Sequence, residues 1–404
     1  MRIHSLIVGG GIGGLAAALA LARAGHTADL MEQAPAFSEV GAGIQLGPNV
    51  VRRLQALGLQ EALEDVVARP ERLCVSSALT GARIAVMPLA GAMEQRYGAP
   101  YFTIHRADLH SLLLHAVRAL DNAGVTLNTN ARIERLSTRG DAFVCAATSD
   151  SRAWEGDALI GADGVWGRVR PRIWPDAASA RPTGHTAFRA LLKQDTLPAA
   201  LRSRQVDVWL APRLHAVAYP VRGGEWLNLV VLAESPLGEA EVGADADADA
   251  RDWDQAASRA ALDRSSGHVG QPLRALLDAV PAWRAWTLCD RTPLAGPQEM
   301  VDGRVALLGD AAHPMLPYLA QGAGMAIEDA VALAQQLSGC TPAEVPQALT
   351  RYAQARWARN AQVQARARRN GGIFHLGGPV RWGRDLAMRL AGPALMDQPW
   401  LYAG

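Results

Sequence analysis

Lysine is almost missing from this chain. Lys193 is the only one, and the other 39 of the 40 cationic side chains are arginines. Chemistry built on an activated lysine therefore has a single candidate position. Cysteine is scarce too. Cys74, Cys145, Cys289 and Cys340 are scattered, with no CxxC pair, which argues against a zinc or redox centre and for free thiols in a reducing compartment. No apolar run reaches the ~18 residues of a membrane span. Leu15 to Ala22 comes nearest, and the glycines before it mark a buried helix rather than a leader. An excess of one charge sign is also lacking: 40 basic groups face 39 acidic ones, which leaves no footprint for nucleic acid or an anionic membrane. The expectation is a cytoplasmic protein, monomer or homodimer, with no nucleic-acid and no membrane partner. One acidic segment, Glu239 to Asp254, contains Asp245-Ala246-Asp247-Ala248-Asp249 and starts like a calcium loop. Ala250 and Ala256 stand where such a loop needs glycine and glutamate, so it reads as a solvated loop and no metal site is expected.

What is present begins at the N-terminus. Ile3 to Val8 is a short β-branched run, the pattern of a buried parallel strand. Gly9 to Gly14 breaks it, Leu15 to Ala24 favours helix, and Gly25 closes that helix. Thr27 to Met31 returns to strand character and ends at Glu32, completing a βαβ unit. Gly9, Gly11 and Gly14 thus fit GxGxxG after a strand and opening a helix, with Ile12 and Gly13 inside the turn. Gly9 suits the tight turn, Gly11 lets the backbone approach a pyrophosphate, and Gly14 lets helix and strand pack closely. The helix N-terminus offers free N–H groups to the phosphates. Glu32 sits where a carboxylate can meet a ribose. This fingerprint says dinucleotide and does not by itself separate FAD from NAD. No second copy of it occurs.

Further along, Arg106 to Ala119 reads as helix. Val125 to Leu127, Ile133 to Leu136 and Phe143 to Ala147 read as a small antiparallel layer. Ala158 to Ile160 and Val305 to Leu308 are buried strands, and Thr186 to Leu232 is strand-rich. Met325 to Leu337 is expected as helix. So is the arginine-rich stretch Pro346 to Arg369, with a solvated or dimer-facing surface. The last 30 or so residues show no clear pattern.

Five blocks besides the glycine turn carry a family resemblance. Gly161-Ala162-Asp163-Gly164, followed by Arg168 and Arg170, resembles the "DG" motif of FAD-dependent aromatic hydroxylases. Gly309-Asp310-Ala311-Ala312-His313-Pro314, running on to Gln321-Gly322-Ala323-Gly324 and Glu328-Asp329-Ala330, resembles their "GD" motif. Glu32-Gln33-Ala34-Pro35, Gly41-Ala42-Gly43-Ile44 and Ile104-His105-Arg106-Ala107-Asp108-Leu109 are similar to the same family, in the same order. The resemblance spans most of residues 1 to 335. It implies an α/β fold like that of para-hydroxybenzoate hydroxylase: a Rossmann-like FAD-binding domain (1–72, 104–180, 291–345) with an inserted β-sheet substrate domain (73–103, 181–290) and a C-terminal helical region (346–404). It implies non-covalent FAD, with Gly43, Arg106, Asp163, Gly309, Asp310, Gly322 and Ala323 joining the glycine turn and Glu32 around it. NADH or NADPH would reduce the flavin, O2 would add at its C4a carbon, and a hydroxyl would pass to an electron-rich ring. Gly167 departs from the pattern, since relatives often carry serine there.

For the substrate end, His215 and Tyr219 lie on one expected strand and would face the same side, with Cα atoms roughly 13 Å apart at about 3.3 Å per residue. Relatives that hydroxylate hydroxybenzoates or hydroxynicotinate carry a similar pair. The resemblance sets Pro317 beside the flavin C4a edge. Gln45 is expected to border the pocket where some hydroxynicotinate hydroxylases have histidine. Arg189 is a candidate for a carboxylate or for the reductant. The expected substrate is a small phenolic acid, salicylate or another monohydroxybenzoate first and hydroxynicotinate second. Flavin halogenation would need a catalytic lysine and a WxWxIP segment, which Lys193 and the Trp283–Trp286 spacing do not supply. A lipid reductase or epoxidase would need an apolar C-terminal segment, whereas the tail carries Arg366, Arg368, Arg369, Arg381 and Arg384.

Overall fold

The N-terminal strand His4–Val8 is buried on both sides and pairs in parallel with Thr27–Met31 on one edge and Ala158–Gly161 on the other. In the computed structural model, which describes residues 1–39, 41–120, 124–139, 143–234 and 255–404, these strands are central to a six-stranded sheet. Its order runs Val301–Asp302, Val305–Leu307, Ala158–Gly161, His4–Val8, Thr27–Met31, Val125–Asn128. The acidic segment Glu239 to Asp254 lies outside the described residues. Val125–Asn128, expected in the small antiparallel layer, instead continues the parallel sheet beside Thr27–Met31. That layer is built from Ile133–Arg139, Phe143–Thr148 and Ala153–Gly156.

The parallel sheet explains why motif blocks far apart in sequence belong together. Gly9, Glu32, Ala162-Asp163 and Gly309-Asp310 each follow the carboxyl end of one of four adjacent strands. Open α/β sheets bind ligands at that edge. The helix Ile12–Arg23 covers one face, with Leu15, Leu19 and Leu21 fully buried.

The second large sheet has eight strands, ordered Gln255–Ala257, Trp283–Asp290, Arg181–Lys193, Trp226–Ala233, Leu214–Val221, Val206–Ala211, Arg72–Ser77, Arg83–Pro88. The period of two divides each strand between two cores. Leu214, Ala216 and Ala218 pack with Leu229, Val231, Phe188 and the helices Arg259–Ser266 and Leu273–Asp278. Tyr219 and Val221 face the nucleotide domain, with Met315, Leu319 and Met325.

The helix Gly322–Leu337 begins three residues before the expected Met325, directly at the glycine block. The long helix is Val345–Phe374, and it runs through Gly371 and Gly372 without breaking. A Cβ on Gly371 would sit 2.9 Å from the Tyr318 ring, so this glycine serves close packing. The expectation of a solvated or dimer-facing arginine surface fails for part of this helix. Arg356 is buried against Asp329 and Glu328 (2.7 and 2.8 Å), and Arg359 pairs with Glu328 at 2.7 Å. The tail forms Gly378–Met396, bent at Ala391 and Pro393, and Pro399–Tyr402. Its arginines do not make it a uniformly charged surface: Arg384 turns inward onto the Ile373 and Phe374 carbonyls, while Val380, Trp382, Leu386, Leu390 and Leu395 face outward. Among the described residues no helix is long and apolar enough to cross a membrane.

Candidate active site

A cleft of about 740 Å³ runs along the carboxyl edge of the parallel sheet. Gly9, Gly11, Ile12, Gly13, Glu32, Arg106, Asp163, Gly309, Asp310, Gly322, Ala323 and Arg189 all line it. Gly14 and Gly43 do not, and neither do Gln45, His215, Tyr219 and Pro317. The three fingerprint glycines differ in what they permit. A Cβ on Gly9, whose φ is +109°, would meet the Ala162 carbonyl oxygen at 2.4 Å, and one on Gly14 would meet the Gly9 oxygen at 1.9 Å. A Cβ on Gly11 would meet nothing within 4 Å and would point into open space. Gly9 and Gly14 therefore hold the turn against the protein, and Gly11 keeps the cleft clear for a close-approaching ligand.

The acidic wall is ordered by backbone donors. Glu32 accepts from the N–H groups of Gly10 and Ala34, at 2.8 Å each, so its carboxylate braces the turn as well as lining the cleft. Arg106, at the start of the helix Arg106–Arg118, pairs through Nε with Glu39 at 2.5 Å. Asp163 Oδ2 accepts from the N–H groups of Arg168 and Val169, at 2.5 and 2.9 Å, while its Oδ1 is buried with no partner. Burial pushes this carboxyl above its ordinary range. Gly167 makes the arrangement possible, since a Cβ there would stand 2.2 Å from Asp163 Oδ1. A serine at 167 would displace that carboxylate. Asp310 caps no helix; it faces the cleft, and burial raises its carboxyl too, opposed by the Arg106 and Arg291 charges. An orphaned buried acceptor and a methyl-free turn at a helix N-terminus fit the hydroxyls and phosphates of a dinucleotide.

Asp329 ties the "GD" motif together. It accepts from His313 Nε2 (2.6 Å), Arg356 Nε (2.7 Å), Asn360 Nδ2 (3.0 Å) and the Gly309 N–H (3.1 Å). Although burial opposes it, the His313 and Arg356 contacts hold the Asp329 carboxyl well below its ordinary range. The loop bearing Asp310 is thereby clamped to two helices.

Beyond the cleft, three strands present a grid of side chains to the nucleotide domain. The register sets three rows: Ala187–Leu232–His215, Arg189–Val230–Val217 and Leu191–Asn228–Tyr219. His215 and Tyr219 thus flank Val217, and neighbouring columns are about 4.8 Å apart. Arg189 stacks over Trp286 at 5.3 Å, and both reach the cleft. His215 is buried beside the rings of Tyr318, Phe374 and His375, and burial, together with the nearby histidines, lowers its pKa well below the ordinary imidazole value. Burial raises the Tyr219 phenol. Asn228 accepts from the Gly43 N–H at 2.7 Å, and its buried Nδ2 has no partner. Gly43 therefore lies against Tyr219 and Asn228, at the seam between the domains. Gln45 accepts from the Tyr101 hydroxyl at 2.6 Å. Pro317 opens a short turn that ends in Leu319 and carries Tyr318. Asn228, His375 and Glu234 were not singled out from the sequence. Asn228 carried a usable signal, since it shares the even-numbered parity of the strand opposite His215 and Tyr219.

The fold and cleft define a dinucleotide-binding protein with an eight-stranded second sheet beside the cofactor edge. Residues 2–367 match the FAD binding domain family. The chain is 38% identical over 406 residues to 3-hydroxybenzoate 6-hydroxylase 1 of Aquipseudomonas alcaligenes, covering 100% of this chain and 98% of that protein. It is 37% identical over 381 residues to 3-hydroxybenzoate 6-hydroxylase of Polaromonas naphthalenivorans (strain CJ2), covering 94% and 90%. The structure of Klebsiella pneumoniae HpxO complexed with FAD and uric acid superposes with a TM-score of 0.81 at 26% identity, covering 98% and 96%. The chain belongs to the FAD-dependent aromatic hydroxylases; FAD is its cofactor, and NAD(P)H and O2 are its co-substrates.

Proposed function

We propose that this monooxygenase hydroxylates 3-hydroxybenzoate at carbon 6, para to the phenol. The observation that carries the reading is the grid, which sets a histidine and a tyrosine–asparagine pair on either side of Val217. A meta-hydroxylated benzoate has two polar groups to satisfy, and this face has two polar ends. When bound, FAD would take electrons from NAD(P)H and activate O2, which supplies one oxygen atom to the ring and loses the other as water.

The chain's own residues do the rest. His215 Nδ1 is engaged by His375, so Nε2 is the atom left to take the phenol proton, and removing that proton makes the ring electron-rich. Tyr219 and the unpartnered Nδ2 of Asn228 receive the carboxylate at the other end, with Arg189 adding its charge from the middle row. Leu316, Leu232 and Ala187 exclude water. On this reading the turn that starts at Pro317 and carries Tyr318 stands at the cofactor side of the site. Asp163, Asp310 and the Gly322–Ala323 helix start hold the cofactor.

The test is a panel of 2-, 3- and 4-hydroxybenzoate and 6-hydroxynicotinate with FAD-loaded enzyme, scoring stimulated NAD(P)H consumption and product. The expected result is strong coupling with 3-hydroxybenzoate and 2,5-dihydroxybenzoate as product. Tight coupling to salicylate, with loss of CO2, would overturn it.

A further inference from the structure

Behind His215 lies a chain of hydrogen bonds that ends at the surface. His215 Nδ1 is 2.9 Å from His375 Nε2, and His375 Nδ1 is 2.8 Å from Glu234 Oε1. The two histidines are buried, whereas the Glu234 side chain is one-third exposed. We propose that Glu234, His375 and His215 form a proton relay that fixes the tautomer of His215 and carries the substrate's phenolic proton to solvent. The proposal rests on the reading that the substrate is a hydroxybenzoate whose phenol meets His215.

The polarity of the chain follows from its outer end. An ionised carboxylate only accepts, so His375 Nδ1 carries the hydrogen and donates it to Glu234. A neutral His375 then has its lone pair on Nε2. His215 Nδ1 must donate to that lone pair, which leaves the His215 lone pair on Nε2. Glu234 thus makes the substrate-facing nitrogen a base rather than a donor. Burial and the mutual proximity of the rings disfavour a positive charge on either histidine.

Proton movement through this chain balances. The phenolic O–H breaks and an N–H forms at His215 Nε2. The His215 Nδ1–H passes to His375 Nε2, and the His375 Nδ1–H passes to Glu234 Oε1. Neither ring ends with a charge; one negative charge leaves Glu234 and appears on the phenolate. Glu234 then exchanges its proton with water.

The geometry is held from several sides. Glu234 N–H donates to the Arg213 carbonyl and Arg213 N–H to the His375 carbonyl, at 2.8 and 3.1 Å. Arg384 donates to the Ile373 and Phe374 carbonyls at the helix end that bears His375. The other titratable or charged groups facing the chain are His185, Tyr318, Arg213 and Arg384. His185 pairs with the Tyr318 hydroxyl and stands outside the relay. His375 and Glu234 are positioning residues acting through His215.

The experiment compares FAD-loaded wild type, Glu234→Gln, Glu234→Asp and His375→Gln. Substrate-bound phenolate absorbance and hydroxylation are each followed from pH 6 to 10. Glu234→Gln and His375→Gln are expected to raise the pH at which the bound phenol ionises by about one unit or more. They should also cut hydroxylation at pH 7 by about 10- to 100-fold, the scale on which partners that orient a working histidine act. Activity should return toward alkaline pH, and Glu234→Asp should largely restore the profile. A purely structural role would lower stability and leave the profile in place. If wild type hydroxylates and Glu234→Gln keeps its pH profile, the relay is overturned. Glu234 is partly exposed and its amide is isosteric, so this variant decides the matter even if His375→Gln fails to fold. If wild type couples to no hydroxybenzoate, the functional reading has failed instead.

Discussion

Gly11→Ala and Gly14→Ala add the same methyl group three residues apart, and the two proteins are expected to fail in different ways. At Gly14 the new carbon would lie 1.9 Å from the Gly9 carbonyl oxygen and 3.1 Å from its carbon. The obstacle is backbone, and Gly9 is tied to its place by an N–H bond to the Met31 carbonyl at 2.8 Å. Restoring ordinary contact means opening the turn by more than an ångström, which puts the cost at or above the ~3 kcal/mol upper range of overpacking. At Gly11 the carbon meets no protein atom within 4 Å, and φ −74°, ψ −174° suits any residue. The apoprotein should lose only the N-cap preference, about 1 kcal/mol at most. The same methyl stands in the cleft where the pyrophosphate must come close, and ~1–3 kcal/mol of overpacking there weakens FAD about 10- to 100-fold. Thermal unfolding of the apoproteins and flavin-fluorescence titration separate the two effects. Gly14→Ala should melt several degrees lower without cofactor. Gly11→Ala should melt nearly like wild type as apoprotein and gain less on adding FAD. A Gly11→Ala protein with unchanged FAD affinity, or a Gly14→Ala apoprotein of wild-type stability, would refute the division of labour.

Two further perturbations probe other parts of the site. Asp329→Asn leaves the buried Arg356 without one of its two carboxylates and should cost about 3–5 kcal/mol in urea unfolding at pH 7. Because the folded Asp329 carboxyl is held below its unfolded value near 3.8, its stabilisation is fully present above about pH 4 and is lost as pH falls toward the folded value. Wild type and variant should therefore converge in strong acid, and a constant gap down to pH 2 would contradict the assignment. Arg189→Ala should raise the KM of the aromatic acid about 10- to 100-fold, the worth of a hydrogen bond to a charged group, with FAD content and the KM of NAD(P)H unchanged. An altered NAD(P)H KM with the acid unaffected would move Arg189 to the reductant.

The cofactor half of the site was legible because its residues sit at strand ends, where local motif and fold rule coincide. Gly9, Asp163 and Asp310 are each announced by a short apolar run that stops at a glycine. One parallel sheet then brings those stops to one edge. The substrate half obeys a different rule. His215 and Tyr219 could be paired by parity alone, but their neighbours depend on the register of antiparallel strands and on where the long helix ends. Asn228 and His375 are ordinary polar residues until that register is known.

The long helix shows the same limit from the other side. Its arginines suggested a surface because composition reports charge and not direction. Glu328 and Asp329 lie 27 to 31 residues before their partners Arg356 and Arg359. A buried arginine needs a carboxylate on the element packed against it, and here that element is the helix starting at Gly322. The acid pair of the "GD" motif is therefore no contact for the cofactor. It is the clamp that joins the Gly309–Asp310 loop, through His313 and Arg356, to the helix whose far end carries His375. One end of that helix's contacts steadies the carboxylate facing the cofactor, and the other end positions the base facing the substrate. The two sites are thus built on one rigid element, which is why Asp329→Asn should loosen both, lowering FAD affinity and the fraction of NAD(P)H coupled to product together.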